Sequence, residues 1–285
     1  MNIFDKISKI LKEHPQIALC TIIDTKGSTP MKVGAKIIVC PDGKIIGTIG
    51  GGAFEKAVIE NALHCLKENS SKIFVYHLTK DYQMCCGGTI NVFIDIIYSP
   101  SKIYIFGAGH VGKSLAQFAL LSGFDVFLID DRDEILKPFY ENENFNKVHL
   151  IHTPFIEYLI NLSIKETQNS YCVILTYNHQ IDRTLLLHSI SKSFKYIGMI
   201  GSRRKVEVSK KFLLQNNVPE DIIKSIDMPI GININAYYPE EIAISILAKI
   251  ISIKNTHLKG NNKLSESEKI IPLQTQNLEI CLKNL

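Results

Sequence analysis

Gly107-Ala108-Gly109-His110-Val111-Gly112 places three glycines where chemistry with phosphate needs them. The first permits a tight turn, the second lets a pyrophosphate approach the backbone, and the third lets a helix pack closely on a strand. The N–H groups and dipole of a helix opening there attract an anion. Asp130 follows Gly107 at the spacing of a ribose partner. Arg132 either holds a 2′-phosphate or pairs with Asp130 and Asp131. His110 either contacts a ligand or serves as a capping or packing residue.

Four further sets carry candidate chemistry. Thr176-Tyr177-Asn178-His179-Gln180-Ile181-Asp182 follows a short apolar run, and ligands in open α/β sheets bind outside the carboxyl ends of strands. His179 and Asp182 can bind a ligand there, or Asp182 can simply cap a helix starting near Arg183. Gly201-Ser202-Arg203-Arg204-Lys205 puts three cations at a helix start. Cations there oppose the dipole and call for an anion, which a bound phosphate or the nearby Glu207 can supply. Gly50-Gly51-Gly52 leaves backbone N–H groups able to form an anion nest, with Glu55 in reach as ligand contact or cap. Gly27-Ser28-Thr29-Pro30 and Gly34-Ala35-Lys36 form a second glycine loop that can face it. Cys85-Cys86-Gly87-Gly88 offers a thiol between flexible residues, suited to sulfur chemistry or a soft metal, with Cys86 as the candidate metal contact. Its alternative is a packed free cysteine. Cys20, Cys40, Cys65 and Cys172 fall in apolar runs and are expected in cores.

These residues need a scaffold, and hydrophobic periodicity supplies one. Residues 2–12 have helical spacing. Strands are expected at 17–23, 36–40, 44–48, 73–77 and 90–97, with Pro41-Asp42-Gly43 as a hairpin turn and a helix over 53–69. This is a small α+β domain over residues 1–98. Tyr98-Ser99-Pro100-Ser101 reads as a linker. Beyond it, strands at 103–106, 126–129, 148–151, 172–175 and 196–200 alternate with helices at 111–122, 155–162, 184–191 and 206–216. That alternation implies a doubly wound parallel sheet of Rossmann type over residues 99–254. A last helix starts at Pro239, and its apolar body, 242–253, is expected to be buried. Residues 255–285 read as a polar extension whose Leu278, Leu282 and Leu285 allow a short docking helix.

Composition bounds the function. The chain has 285 residues, 32 Lys plus Arg and 28 Asp plus Glu, a net charge of +4. That excess is too small to argue for nucleic acid. Seven cysteines are too few and too odd in number for a disulfide framework. With a charged N-terminus, they point to a cytoplasmic protein. No apolar run reaches the ~18–20 residues of a membrane span. The apolar load of 242–253 and the frequency of C₂ assemblies lead to the expectation of a homodimer.

In order along residues 20–253, this set of motifs resembles the XdhC/CoxI family, the xanthine dehydrogenase accessory proteins. The match includes Gly47–Gly52 with Glu55, Cys86-Gly87-Gly88, Phe106–Gly112 with His110, Asp130-Asp131-Arg132, Thr176–Asp182, and Tyr196–Lys205. It extends through Pro229-Ile230-Gly231 to Pro239-Glu240-Glu241. The resemblance implies a chaperone rather than a catalyst. Such a protein binds molybdenum cofactor (molybdopterin) and helps deliver its sulfurated form into a molybdenum hydroxylase such as xanthine dehydrogenase, with a cysteine desulfurase as a further partner. It also implies an N-terminal XdhC/CoxI domain followed by a Rossmann domain. The family's Thr-His-Asp-His is Thr176-Tyr177-Asn178-His179 here, which removes one histidine and one carboxylate. An acidic residue late in the family's last helix is Lys249 here. The glycine fingerprint keeps an NAD(P)-dependent oxidoreductase, or a nucleotide-binding scaffold, as the competing readings.

Overall fold

The computed structural model describes residues 3–78 and 88–255. The chain divides into two compact units, Met1–Pro100 and Ser101–Leu285.

The first unit is an antiparallel sheet with a helix on each face. Helix α1 (Ile3–Ile10) leads into β1 (Gln16–Lys26), β2 (Lys36–Val39), β3 (Ile45–Gly47), helix α2 (Gly52–Glu68), β4 (Lys72–His77) and β5 (Thr89–Tyr98). The spatial order is β3-β2-β1-β5-β4, and every pairing is antiparallel. The β2–β3 connection is the hairpin expected at Pro41-Asp42-Gly43, with Gly43 at φ 84°. Alternation decides which face each residue joins. Ala18, Cys20 and Ile22 of β1 pack with Phe54, Val58 and Ala62 of α2. Ile17 of β1 and Ile38 of β2 meet Ile7 of α1 in a smaller cluster that also holds Cys40.

The second unit is a five-stranded parallel sheet, in the order β10-β9-β6-β7-β8. Its strands are β6 (Lys102–Phe106), β7 (Asp125–Asp130), β8 (His149–His152), β9 (Tyr171–Ile174) and β10 (Tyr196–Met199). The main helices are α3 (His110–Leu121), α4 (Asp133–Tyr140), α5 (Phe155–Asn161), α6 (Ile164–Thr167), α7 (His179–Ile190), α8 (Arg203–Gln215), α9 (Glu220–Ser225) and α10 (Pro239–Asn255). Because the sheet is covered on both faces, its inner strands carry continuous apolar runs, Ile103–Phe106 in β6, Val126–Ile129 in β7 and Tyr171–Ile174 in β9, whereas the edge strand β8 has an exposed histidine at each end. Ile103 and Ile105 of β6 point to α3 and α10, while Tyr104 and Phe106 point to α5 and α7. Chain order departs from spatial order at β6, whose neighbours are β7 and β9. This is the switch point where such sheets bind ligands.

Three differences from the sequence reading have physical causes. Helix α7 begins at His179, five residues before the expected start, because Asn178 rather than Asp182 is its N-cap, accepting from the Gln180 N–H at 2.8 Å. Helix α4 has no counterpart in the sequence reading, and it carries Pro138 inside it. It forms because Leu136 and Phe139 bury a face against the sheet. Helix α10 buries only one side, through Ala243, Ser245, Ile246, Leu247 and Ile250, while Ile244 is half exposed. The expectation for Leu278, Leu282 and Leu285 lies outside the described residues. No helix among the described residues is long and apolar enough to cross a membrane.

Candidate functional site

The carboxyl edge of the parallel sheet gathers the second unit's candidate residues. The loop from β6 to α3 has the three-glycine division of labour. Gly107 sits at φ 117°, and a Cβ there would fall 2.4 Å from the Leu175 carbonyl oxygen. A Cβ on Gly112 would fall 1.9 Å from the Gly107 carbonyl oxygen, so only glycine lets α3 lie this close. Gly109 differs, because a Cβ there meets nothing within 4 Å. Gly109 and His110 are exposed at the start of α3, so His110 does not pack. The opening above Gly109, beside the free N–H groups of α3, fits an anionic group.

Asp130, at the end of β7, is completely buried. One of its oxygens accepts from the Ala108 N–H at 2.8 Å and from Arg132 Nη2 at 2.9 Å. The other accepts from the Arg132 N–H at 3.1 Å and from Arg132 Nε at 2.8 Å. A carboxylate offers about four lone-pair directions, so these donors use its capacity. Burial works to raise its pKa, but the bonds from Arg132 and Ala108 outweigh it and hold the group below the usual carboxylate range. The ribose-binding position is therefore taken by Arg132. The arginine is fixed from the other side by Tyr177, whose ring lies 4.2 Å from the guanidinium carbon. Tyr177 Oη donates to Asp131 at 3.1 Å.

The loop after β9 is built around a second buried carboxylate. Asp182 is fully buried in the first turn of α7. Its Oδ1 accepts from the Thr176 hydroxyl at 2.7 Å and the Thr176 N–H at 3.2 Å. Its Oδ2 accepts from Lys205 Nζ at 2.5 Å. His179 Nδ1 lies 4.0 Å from the same oxygen, with its side chain mostly exposed. This pair closes β9 onto the start of α8, where Ser202 is the N-cap expected from sequence, accepting from the Lys205 N–H at 3.3 Å. Of the three cations there, Lys205 is neutralised by Asp182, and Glu207 pairs with Lys210 rather than with them. Among the described residues, Arg203 and Arg204 are exposed and pair with no carboxylate. Gly201 precedes them, its missing side chain leaving room for the Lys205 stem, which a Cβ would meet at 2.6 Å.

In the first unit, the triple-glycine loop looks similar in sequence but is filled from within. Glu55 turns back and accepts from the Thr48 hydroxyl at 2.5 Å, the Ile49 N–H at 2.9 Å and the Gly51 N–H at 3.2 Å. Burial opposes the charge, yet these three bonds hold the Glu55 pKa below the usual range. Of the three donors that the sequence reading left for a ligand, the carboxylate thus takes the Gly51 N–H, while the Gly50 N–H donates to the Thr48 hydroxyl oxygen at 3.3 Å. Pro30 and Met31 pack on Gly50, as expected of the facing loop, and Gly88 backs it against Ser28 and Thr29. Cys86 and Gly87 lie outside the described residues. Cys20, Cys40, Cys65 and Cys172 are buried as expected, and burial pushes Cys20 up to about 12.

Sequence reasoning missed Tyr177, Thr176 and Lys205 as partners in the site. Tyr177 and Asn178 are visible there only as departures from a pattern. The structure gives them roles: one clamps Arg132, the other caps α7. The groups at this edge do not assemble a three-ligand metal set among the described residues.

Comparison with known proteins gives a consistent result. A model of the XdhC Rossmann domain matches residues 103–250, and a model of the XdhC and CoxI family matches residues 10–77. An Escherichia coli (strain K12) protein called YqeB, itself described as uncharacterized, is 35% identical over 260 residues, spanning 90% of this chain and 47% of that one. A Bacillus subtilis (strain 168) protein, described as a probable subunit of xanthine dehydrogenase, is 32% identical over 167 residues, spanning 58% of this chain and 47% of that one. The chain spans about half the length of these curated relatives. A crystal structure of a xanthine dehydrogenase from Bacillus halodurans aligns over 93% of this chain and 98% of that one, at 22% identity and a TM-score of 0.49.

Proposed function

The chain belongs to the XdhC and CoxI family, and from that premise we propose that it is an accessory protein of a xanthine dehydrogenase-type molybdenum hydroxylase, holding molybdenum cofactor and assisting its sulfuration and insertion. The cofactor is cargo in this reading, and its phosphate is the group the protein grips. One observation carries it. Both buried carboxylates at the sheet edge are consumed internally, Asp130 by Arg132 and Asp182 by Lys205, while Arg203, Arg204 and the open start of α3 keep their positive character. Such an edge favours a compact anion. The same observation speaks against a nicotinamide enzyme, because a saturated Asp130 has no acceptor left for a ribose diol. The reading includes a homodimer and a cysteine desulfurase as sulfur source.

The test is equilibrium dialysis with molybdenum cofactor released from a molybdoenzyme, run beside NAD and NADP. Arg203→Ala should lose a charge-assisted bond of roughly 1.5–3 kcal/mol, which is ~10–150-fold in affinity. Wild-type affinity in Arg203→Ala, or tighter binding of NAD than of the pterin, overturns the proposal.

A further inference from the structure

Away from the parallel sheet, the first unit brings together three side chains that the proposed function does not use. His14 follows α1, Cys40 directly follows β2, and Asp42 sits in the β2–β3 hairpin turn. One ligand atom from each, an imidazole nitrogen, Cys40 Sγ and an Asp42 carboxylate oxygen, lies within 4.8 Å of the others. We propose that His14, Cys40 and Asp42 bind a divalent transition metal, zinc by the chemistry of the donors, which clips the end of α1 to the β2–β3 hairpin.

The donor set selects the metal class. A thiolate and an imidazole suit zinc and its neighbours and do not suit magnesium or calcium, which take oxygen. Three protein ligands leave the fourth tetrahedral position to water. Zinc bond lengths put ligand atoms about 3.6 Å apart in a tetrahedron, so the three need close by no more than about 1 Å. The hairpin turn can supply this, because Asp42 is exposed. Its carboxylate is already oriented by the Lys44 N–H, which donates to Oδ1 at 3.1 Å. That is the outer contact a ligating carboxylate keeps. The competing cation, Lys44 Nζ, is 3.2 Å from Oδ2 on a side chain that is 81% exposed. Releasing such a surface pair costs little.

Cys40 explains why the site is a metal site rather than a reactive thiol. It is 2% exposed, out of reach of oxidants and of other thiols. On binding, the S–H proton leaves to solvent and a metal–sulfur bond forms, with no change of oxidation state. The resulting thiolate and carboxylate balance the two positive charges of the ion. The structural gain follows from packing. Helix α1 has eight residues and a single buried side chain, Ile7. A metal holding His14 to the hairpin would fasten an element that its small apolar cluster holds only weakly.

The test uses the full chain with Cys85, Cys86 and Cys281 replaced by serine, so that other candidate thiols are removed. Cobalt(II) is added as the spectroscopic stand-in for zinc. The expected result is a thiolate-to-cobalt charge-transfer band that saturates at one metal per chain, disappears on adding zinc, and does not form with magnesium. The band should be lost in Cys40→Ser and weakened in His14→Gln and Asp42→Asn. Asp42 is exposed, so that last variant keeps the fold. Zinc should raise the melting temperature of the parent and not of Cys40→Ser. A folded parent that gives no band, or a band that persists in Cys40→Ser, overturns the proposal.

Discussion

The two glycine loops make an instructive pair. Both follow a strand and open a long helix, Gly50-Gly51-Gly52 before α2 and Gly107–Gly112 before α3. By residue type both are anion nests. In the first, Glu55 supplies the anion from the protein itself. In the second, the nearby carboxylate of Asp130 is drawn below the loop, bonded to Ala108 and Arg132, and the space over Gly109 stays open. The difference lies in where the carboxylate sits. Glu55 is inside the helix, one turn from the donors of its own N-terminus. Asp130 is on the next strand, and reaches only the base of the loop. A glycine run therefore promises donors, and the fold decides whether they are still free.

The contrast can be broken by substitution, and the largest effect is expected at Gly112. In Gly112→Ala the added methyl meets the Gly107 carbonyl at 1.9 Å, which is backbone and cannot move aside. Separation of α3 from β6 should cost more than ~4 kcal/mol in urea denaturation followed by circular dichroism. Gly51→Ala in the other loop should cost only roughly 1–3 kcal/mol, from its φ of 72° and ψ of −176°, a region essentially kept by glycine, in open space. Equal losses would mean that the two loops carry the same packing constraint.

Acid titration sharpens the comparison next. The Glu55 pKa is lowered by its bonds to the loop. Its stabilisation is therefore complete above the unfolded value of about 4.3 and disappears as pH falls through the lower folded value. Glu55→Gln should be less stable than wild type at pH 7, and the difference should shrink below pH ~4. A constant difference in urea midpoint across that range would show that the charged form is not what fills the nest.

The smallest effect on stability is expected at Gly109→Ala. Its φ of −64° is ordinary and no atom lies within 4 Å of the new methyl, so the change should stay within ~0.5 kcal/mol. Its effect should fall on anion binding alone, measured by the same dialysis. Loss of stability without loss of binding would place the anion elsewhere on the sheet edge.

Much of the architecture was legible because it is local. Alternation in β1 and β5, unbroken apolar runs in β6, β7 and β9, the Asp-Gly hairpin and the Ser202 cap each depend on residues a few positions apart. Such short-range signals survive without knowledge of the fold. The position of glycines was equally legible, since tight turns leave few alternatives. Helix α4, which the sequence reading did not include, holds a proline, a residue disfavoured inside a helix, and forms where Leu136 and Phe139 are buried.

The sequence by itself determined the class of the fold, the order of its elements and the loops at which chemistry could occur. Only the tertiary structure decided which charges remain available there. Asp182 meets Lys205 and Asp131 meets Tyr177 across long stretches of chain because the order β10-β9-β6-β7-β8 sets the ends of those strands side by side. No spacing rule encodes such meetings. A charge's partner is chosen by distance in space and by the cost of leaving it buried alone, and both come into being only when the strands have packed.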